Sequence, residues 1–101
     1  SINEPDEDTD VEPDFSDKTF LIAEDEMVNF LYLKEILLGT NANIEHVEDG
    51  VGAVALINSG RKIDLIFMDL KMPIMNGYEA TQKIRQINKN HLDQSPYLTS
   101  I

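Results

Sequence analysis

Two short apolar runs, KTFLIA (18–23) and DLIFM (64–68), and one run of alternating polarity, NIEHV (43–47), are interleaved with three stretches of helical period, which leaves few folds open to the chain. Runs of five or six residues rich in β-branched and aromatic side chains are too short for buried helices and read as strands. Between and after them, Met27–Leu38 places Phe30, Leu33, Ile36 and Leu37 at helical spacing and stops at Gly39. Val51–Asn58 is apolar on most sides and closes at Ser59-Gly60, and Tyr78–Ile87 gathers Ala80, Ile84 and Ile87 on one side. The order is β-α-β-α-β-α. Parallel strands need long connections, so the pattern predicts a parallel sheet with helical crossovers. NIEHV alternates polar and apolar residues before the turn-forming pair Asp49-Gly50 and is expected nearer an edge. Asn88–Ser95 reads as a polar loop, and Pro96–Ile101 as the beginning of a fourth strand.

The opening SINEPDEDTDVEPDFSD has eight acidic side chains, no basic one, two prolines and few large apolar residues. That composition cannot join a core, so residues 1–17 are expected to be an acidic flexible linker and 18–101 the single domain. The linker carries eight of the −11 net charges, which leaves −3 for the remainder. Neither part has the clustered Lys/Arg stripe that neutralises phosphate backbones or anionic lipid. The segment is therefore expected to touch neither nucleic acid nor membrane, but a protein or a small ion. The lack of cysteine excludes disulfide scaffolds and thiolate metal sites. No apolar run is long enough to span a bilayer, and the first residues lack the basic and apolar regions of a signal peptide. A first residue of Ser rather than Met suggests either a piece of a longer polypeptide or a processed chain, and composition does not choose between them.

Two of the expected strands break off on acids, FLIAED and DLIFMD. Ligands of open parallel sheets bind at the carboxyl ends of strands. If these two strands are neighbours, Glu24, Asp25 and Asp69 converge and repel one another unless a cation sits among them. Hard oxygen donors of this kind suit Mg2+, which keeps several waters and takes one or two protein carboxylates directly. Singly, each acid reads as a solvated loop residue; the three together, followed by LKMPIMNG with its proline and glycine, read as a site.

FLIAEDE, VEDG and above all LIFMDLKMPIMNGYEA resemble the receiver domain of two-component response regulators, from about Lys18 to about Ile87. The resemblance implies a flavodoxin-like α/β fold, a parallel sheet of order 2-1-3-4-5 with helices on both faces. It implies that Asp69 is the phosphoacceptor, taking its phosphoryl group from a phosphohistidine of a histidine kinase or phosphotransfer domain. It assigns Glu24, Asp25, Asp69 and the backbone carbonyl of Lys71 to Mg2+, and Met72, Pro73 and Gly77 to shaping the loop. Phosphoryl transfer asks a protein for charge neutralisation and in-line positioning more than for covalent chemistry, which suits such a pocket. His46 and His91 are expected to be exposed or strand-surface histidines, not phosphohistidine donors. AEDEMVNFLYLKEIL resembles receivers of hybrid sensor histidine kinases, which implies such a parent, with the receiver in the cytoplasm even where the parent is membrane-anchored.

Beyond Ile87 the resemblance thins. The family adds a fourth strand ending on Ser or Thr, a helix, a fifth strand ending on Lys, and a final helix. Here PYLTSI supplies a stub, family spacing after Pro96 puts Ile101 at the hydroxyl position, and no residue matches the Lys. Residues 18–101 therefore read as a C-terminally truncated receiver lacking the last strand and helices. An open sheet edge is then expected, with self-association through it, and uncovered apolar surface around Phe30, Leu33 and Leu37. The alternative function is a pseudo-receiver, an interaction module without phosphorylation; the missing Lys favours it and Asp69 opposes it. An aspartyl-phosphate hydrolase ranks lower, because Lys71 stands where such enzymes place a second Asp.

Overall fold

A computed structural model of the protein describes residues 14–72, 74–88 and 97–101. Residues 1–13 of the acidic opening, Pro73 and residues 89–96, which hold His91 and all of the expected loop but Asn88, lie outside the described residues; Asn88 is helical. The elements run β1 (Thr19–Ala23), α1 (Met27–Leu37), a 3-10 turn at Leu38–Thr40, β2 (Asn43–Val47), α2 (Gly50–Asn58), β3 (Leu65–Met68), α3 (Gly77–Asn88) and β4 (Tyr97–Ser100). The sheet is parallel throughout, in the order β2-β1-β3-β4. This agrees with the expected order as far as it goes, with β2 at an edge.

The order fixes the face that each helix takes. The step from β1 to β2 runs one way across the sheet and the step from β2 to β3 runs back past β1. Right-handed connections then require α1 on one face and α2 on the other, with α3 beside α2. Packing agrees. Leu21, Ala23, Ile66 and Met68 of the strands form one core with Ala53 and Ile57 of α2 and Ala80 and Ile84 of α3. The alternate strand residues Phe20, Ile22 and Phe67 face the other way, with Phe30 of α1. Each fully buried Leu, Ile or Met contributes roughly 1.5–3 kcal/mol.

Three local features differ from the sequence-based expectation. Asp49-Gly50 is not a free turn but the start of α2: the Asp49 carboxylate accepts from the Gly52 amide at 2.8 Å, capping the helix. On α1, Phe30 is buried while Leu33 and Leu37 are half-buried, so the surface expected around them is covered in part; Ile36, placed on the same stripe, is 56% exposed. The outward apolar residues are instead Met27, Val28, Leu31, Tyr32 and Leu38. Finally, the last four residues of the acidic opening touch the fold. The Phe15 amide donates to the Thr40 carbonyl at 2.7 Å, and its ring lies 5.7 Å from that of Phe20.

Candidate functional site

β1 and β3 are hydrogen-bonded neighbours at the point where strand order reverses, so their carboxyl ends form the crevice where open α/β sheets take ligands. The chain leaves β1 through Glu24 and Asp25 and leaves β3 through Asp69. The Asp69 amide donates to the Ala23 carbonyl and the Glu24 amide to the Val47 carbonyl, both at 3.0 Å, fixing the two strand ends at one height. As a result Glu24, Asp25 and Asp69 each bring a carboxylate oxygen within 4.8 Å of the others. Glu24 is buried at 5% exposure, Asp69 is half-buried and Asp25 is exposed.

Electrostatics mark the cost of this arrangement. Burial pushes the Glu24 carboxyl above its ordinary value of 4.5; the Glu26 amide, which donates to Glu24 Oε2 at 3.1 Å, pulls it back, while Asp69 and Asp25 push it up further. Because the folded value lies above the unfolded one, the stabilisation from a protonated Glu24 is complete below about pH 4.5 and is lost as pH rises through the raised value. Metal-free Glu24→Gln protein should therefore melt higher than wild type at neutral pH, with the gap closing as pH falls toward 4. Thermal melts in chelator across that range measure it; a gap that stays constant with pH would contradict it.

The donor set fits a small divalent cation. It is oxygen only, it gathers excess negative charge, and one face is open to water through Asp25. Of the residues expected at the site, Glu24, Asp25 and Asp69 are brought together. Lys71 lies in the turn just beyond Asp69, exposed, with its amide donating to Asp69 Oδ1 at 2.9 Å. That bond orients the Asp69 carboxylate.

The loop after Asp69 is held by packing. Met72 is buried in the core, and Ile74 is 84% exposed with a φ of 68°. At Gly77 a Cβ would collide with the Asp69 carbonyl and stand 2.7 Å from Leu70 Cα, so only glycine lets α3 start this close to Asp69. Gly50 does the same for α2: its amide donates to the Met75 carbonyl at 3.0 Å, where a side chain would not fit. Gly77→Ala should destabilise by about 1–3 kcal/mol, read by denaturant melting, because backbone must move to admit the methyl group.

In β4, Ser100 pairs with Met68, and the Ile101 amide donates to the Met68 carbonyl at 3.0 Å, which puts Ile101 alongside Asp69. Thr99 falls level with Phe67, two positions short of it. An open cavity of about 490 Å³ lies between α3 and the β3–β4 face, lined by Met68, Leu70, Tyr78, Arg85, Thr99 and others. It does not include the carboxylates.

One contact to the site was missed in the sequence. His46 is half-buried on β2, its Nε2 lies 2.9 Å from the Glu24 carbonyl oxygen, and its ring stacks on Phe30. The alternation of NIEHV already puts His46 on the face of Ile44, and so toward a helix rather than toward solvent.

No helix among the described residues is long and apolar enough to cross a membrane. The family profile described as response regulator receiver domain matches residues 20–94. "Hybrid signal transduction histidine kinase B" of Dictyostelium discoideum is 38% identical over 76 residues, 75% of this chain and 4% of that protein. "Probable histidine kinase 6" of Oryza sativa subsp. japonica is 40% identical over 70 residues, 69% of this chain and 7% of that protein. The chain thus spans a small part of these relatives. Among solved structures, the Saccharomyces cerevisiae Ssk1 receiver domain, co-crystallised with the histidine phosphotransfer protein Ypd1, is similar with a TM-score of 0.74 and 29% identity, over 89% of this chain and 64% of that one. The receiver domain of a Pseudomonas aeruginosa PAO1 sensor histidine kinase, with a magnesium ion in its active-site cleft, gives 0.63 and 32%, over 68% and 56%. With the sheet order, the acids at the switch point and the match over most of its length in agreement, the chain belongs to the response regulator receiver domains of two-component signalling.

Proposed function

We propose that this chain is the phosphoacceptor module of a phosphorelay, taking a phosphoryl group from a phosphohistidine onto Asp69 with Mg2+ as cofactor. The observation that carries this is the convergence of three carboxylates within 4.8 Å at the reversal of strand order. Glu24, Asp25, Asp69 and the Lys71 carbonyl would hold the cation, which when bound neutralises charge on the incoming phosphoryl oxygens. An Asp69 carboxylate oxygen forms the new O–P bond as the N–P bond of the donor breaks, and the departing imidazole keeps the electron pair and takes up a proton. The Lys71 amide, on Oδ1, leaves the other Asp69 oxygen to attack.

The partner is a histidine kinase or a phosphotransfer domain, as the Ssk1–Ypd1 co-crystal supports for a relative. Directly after Asp25, α1 turns Val28, Leu31 and Tyr32 outward, an apolar surface beside the acids on which a partner can seat. The parent is a hybrid histidine kinase and the module works in the cytoplasm. Among the described residues β4 is paired on one side only, and its other edge is where two copies would associate.

The test is direct. A phosphorylated histidine phosphotransfer protein, mixed with the chain and Mg2+, should lose its phosphohistidine to wild type and keep it with Asp69→Asn. Equal loss with both proteins would reject Asp69 as acceptor, and no loss with either would favour the interaction-module alternative.

A further inference from the structure

Two of the three acids of the site, Glu24 and Asp25, stand on one short piece of backbone, and the structure shows what holds it. The β1–β2 ladder ends at Ala23–Val47, followed only by the bond from the Glu24 amide to the Val47 carbonyl. At the Glu24 carbonyl the donor is a side chain: His46 Nε2, at 2.9 Å. A carbonyl oxygen only accepts, so Nε2 carries the proton. β2 meanwhile turns away through Glu48 to Asp49, which caps α2. The imidazole thus continues strand pairing one bond further than the β2 backbone does.

The imidazole is itself held. Its ring lies flat on that of Phe30, with centroids 3.7 Å apart and planes 8° from parallel, and Phe30 is 8% exposed. On the other side of the site, the Asp69 amide fastens Ala23 to β3. The peptide joining Glu24 to Asp25 is therefore gripped at its carbonyl by β2, just after a residue tied to both neighbouring strands. Rotation of that peptide would swing Glu24 and Asp25 apart, which is where their mutual repulsion drives them.

We propose that His46 is a positioning residue for the cation pocket: its Nε2–H fixes the Glu24–Asp25 peptide so that the carboxylates are gathered before a divalent cation arrives. This rests on the carboxylate trio being a cation site. A pocket already ordered loses less entropy on binding, so losing the donor weakens affinity without removing a ligand. Outer-shell partners of metal ligands typically account for about 10–100-fold in affinity. Phe30 orients the ring but offers the peptide nothing.

Two substitutions separate donation from packing. His46→Phe keeps a flat ring against Phe30 and removes the donor. His46→Gln removes the ring and returns an N–H at about the distance of Nε2. Mg2+ titrations of the whole chain should show His46→Phe about tenfold weaker than wild type, with His46→Gln recovering most of that loss. Metal-free melting should rank the two differently, because stacking and donation are then split between them. Mg2+ affinity in His46→Phe equal to wild type, or lost equally in both variants, would overturn the role of His46. The Glu24→Gln/Asp25→Asn variant tells that failure from a failure of the site: binding that does not need those acids overturns both, and binding that needs them but ignores His46 overturns this proposal alone.

Discussion

Replacing Glu24 with Gln and Asp25 with Asn together is expected to weaken Mg2+ binding by more than about 100-fold, beyond the range for losing an outer-shell partner. The double substitution keeps shape and one acceptor oxygen on each side chain but removes two of three negative charges that lie within 4.8 Å of one another. Affinity for hard cations depends on ligand charge and number, and Asp69 alone then faces the ion. The same substitution should leave the metal-free fold intact, because the bonds that set the two strand ends, Glu24 to Val47 and Asp69 to Ala23, are made by backbone. Titration calorimetry reads the affinity and thermal melting reads the fold. Unchanged affinity would mean that the carboxylates meet for some other reason.

The other large effect belongs to Asp69. Asp69→Asn should abolish formation of an acyl phosphate, because an amide lacks the anionic oxygen that attacks phosphorus. Fold and loop should survive, since the Asn carbonyl can still accept from the Lys71 amide that now bonds Asp69 Oδ1. Loss of labelling with retained melting isolates chemistry from structure. Intact-mass measurement after exposure to a small acyl phosphate and Mg2+ would show it, and an adduct of equal yield in the variant would remove Asp69 from the acceptor role.

Much of this architecture was legible in residue order. FLIAED and DLIFMD marked both strands and the acids at their ends, because a buried strand must be apolar until it leaves the sheet, and the residues just past its end meet ligand or water. The parallel sheet with helical crossovers followed from the alternation, whereas the strand order and the helices on both faces came with the resemblance of LIFMDLKMPIMNGYEA to receiver domains. Other features depend on tertiary contact that no local pattern encodes. Asp49 and Gly50 look like a turn because both residues favour turns; only the approach of Met75 shows that Gly50 starts a helix against another loop. Ile36 fits the helical stripe of α1 but faces water, because a nearly uniform apolar helix does not say which of its sides is inward. His46 reads as an ordinary strand residue, since its partner is a backbone carbonyl 22 positions away.

If Asp69 carries the phosphoryl group, the acyl phosphate bond itself can be trapped on it. The chain would be treated with acetyl phosphate and Mg2+, then with hydroxylamine, which converts an acyl phosphate to a hydroxamate on the same carboxyl. Peptide mapping then locates the modified residue. A Mg2+-dependent hydroxamate is expected on Asp69 and on no other acid. A hydroxamate on Glu24 or Asp25 instead, or the same yield without Mg2+, would contradict it.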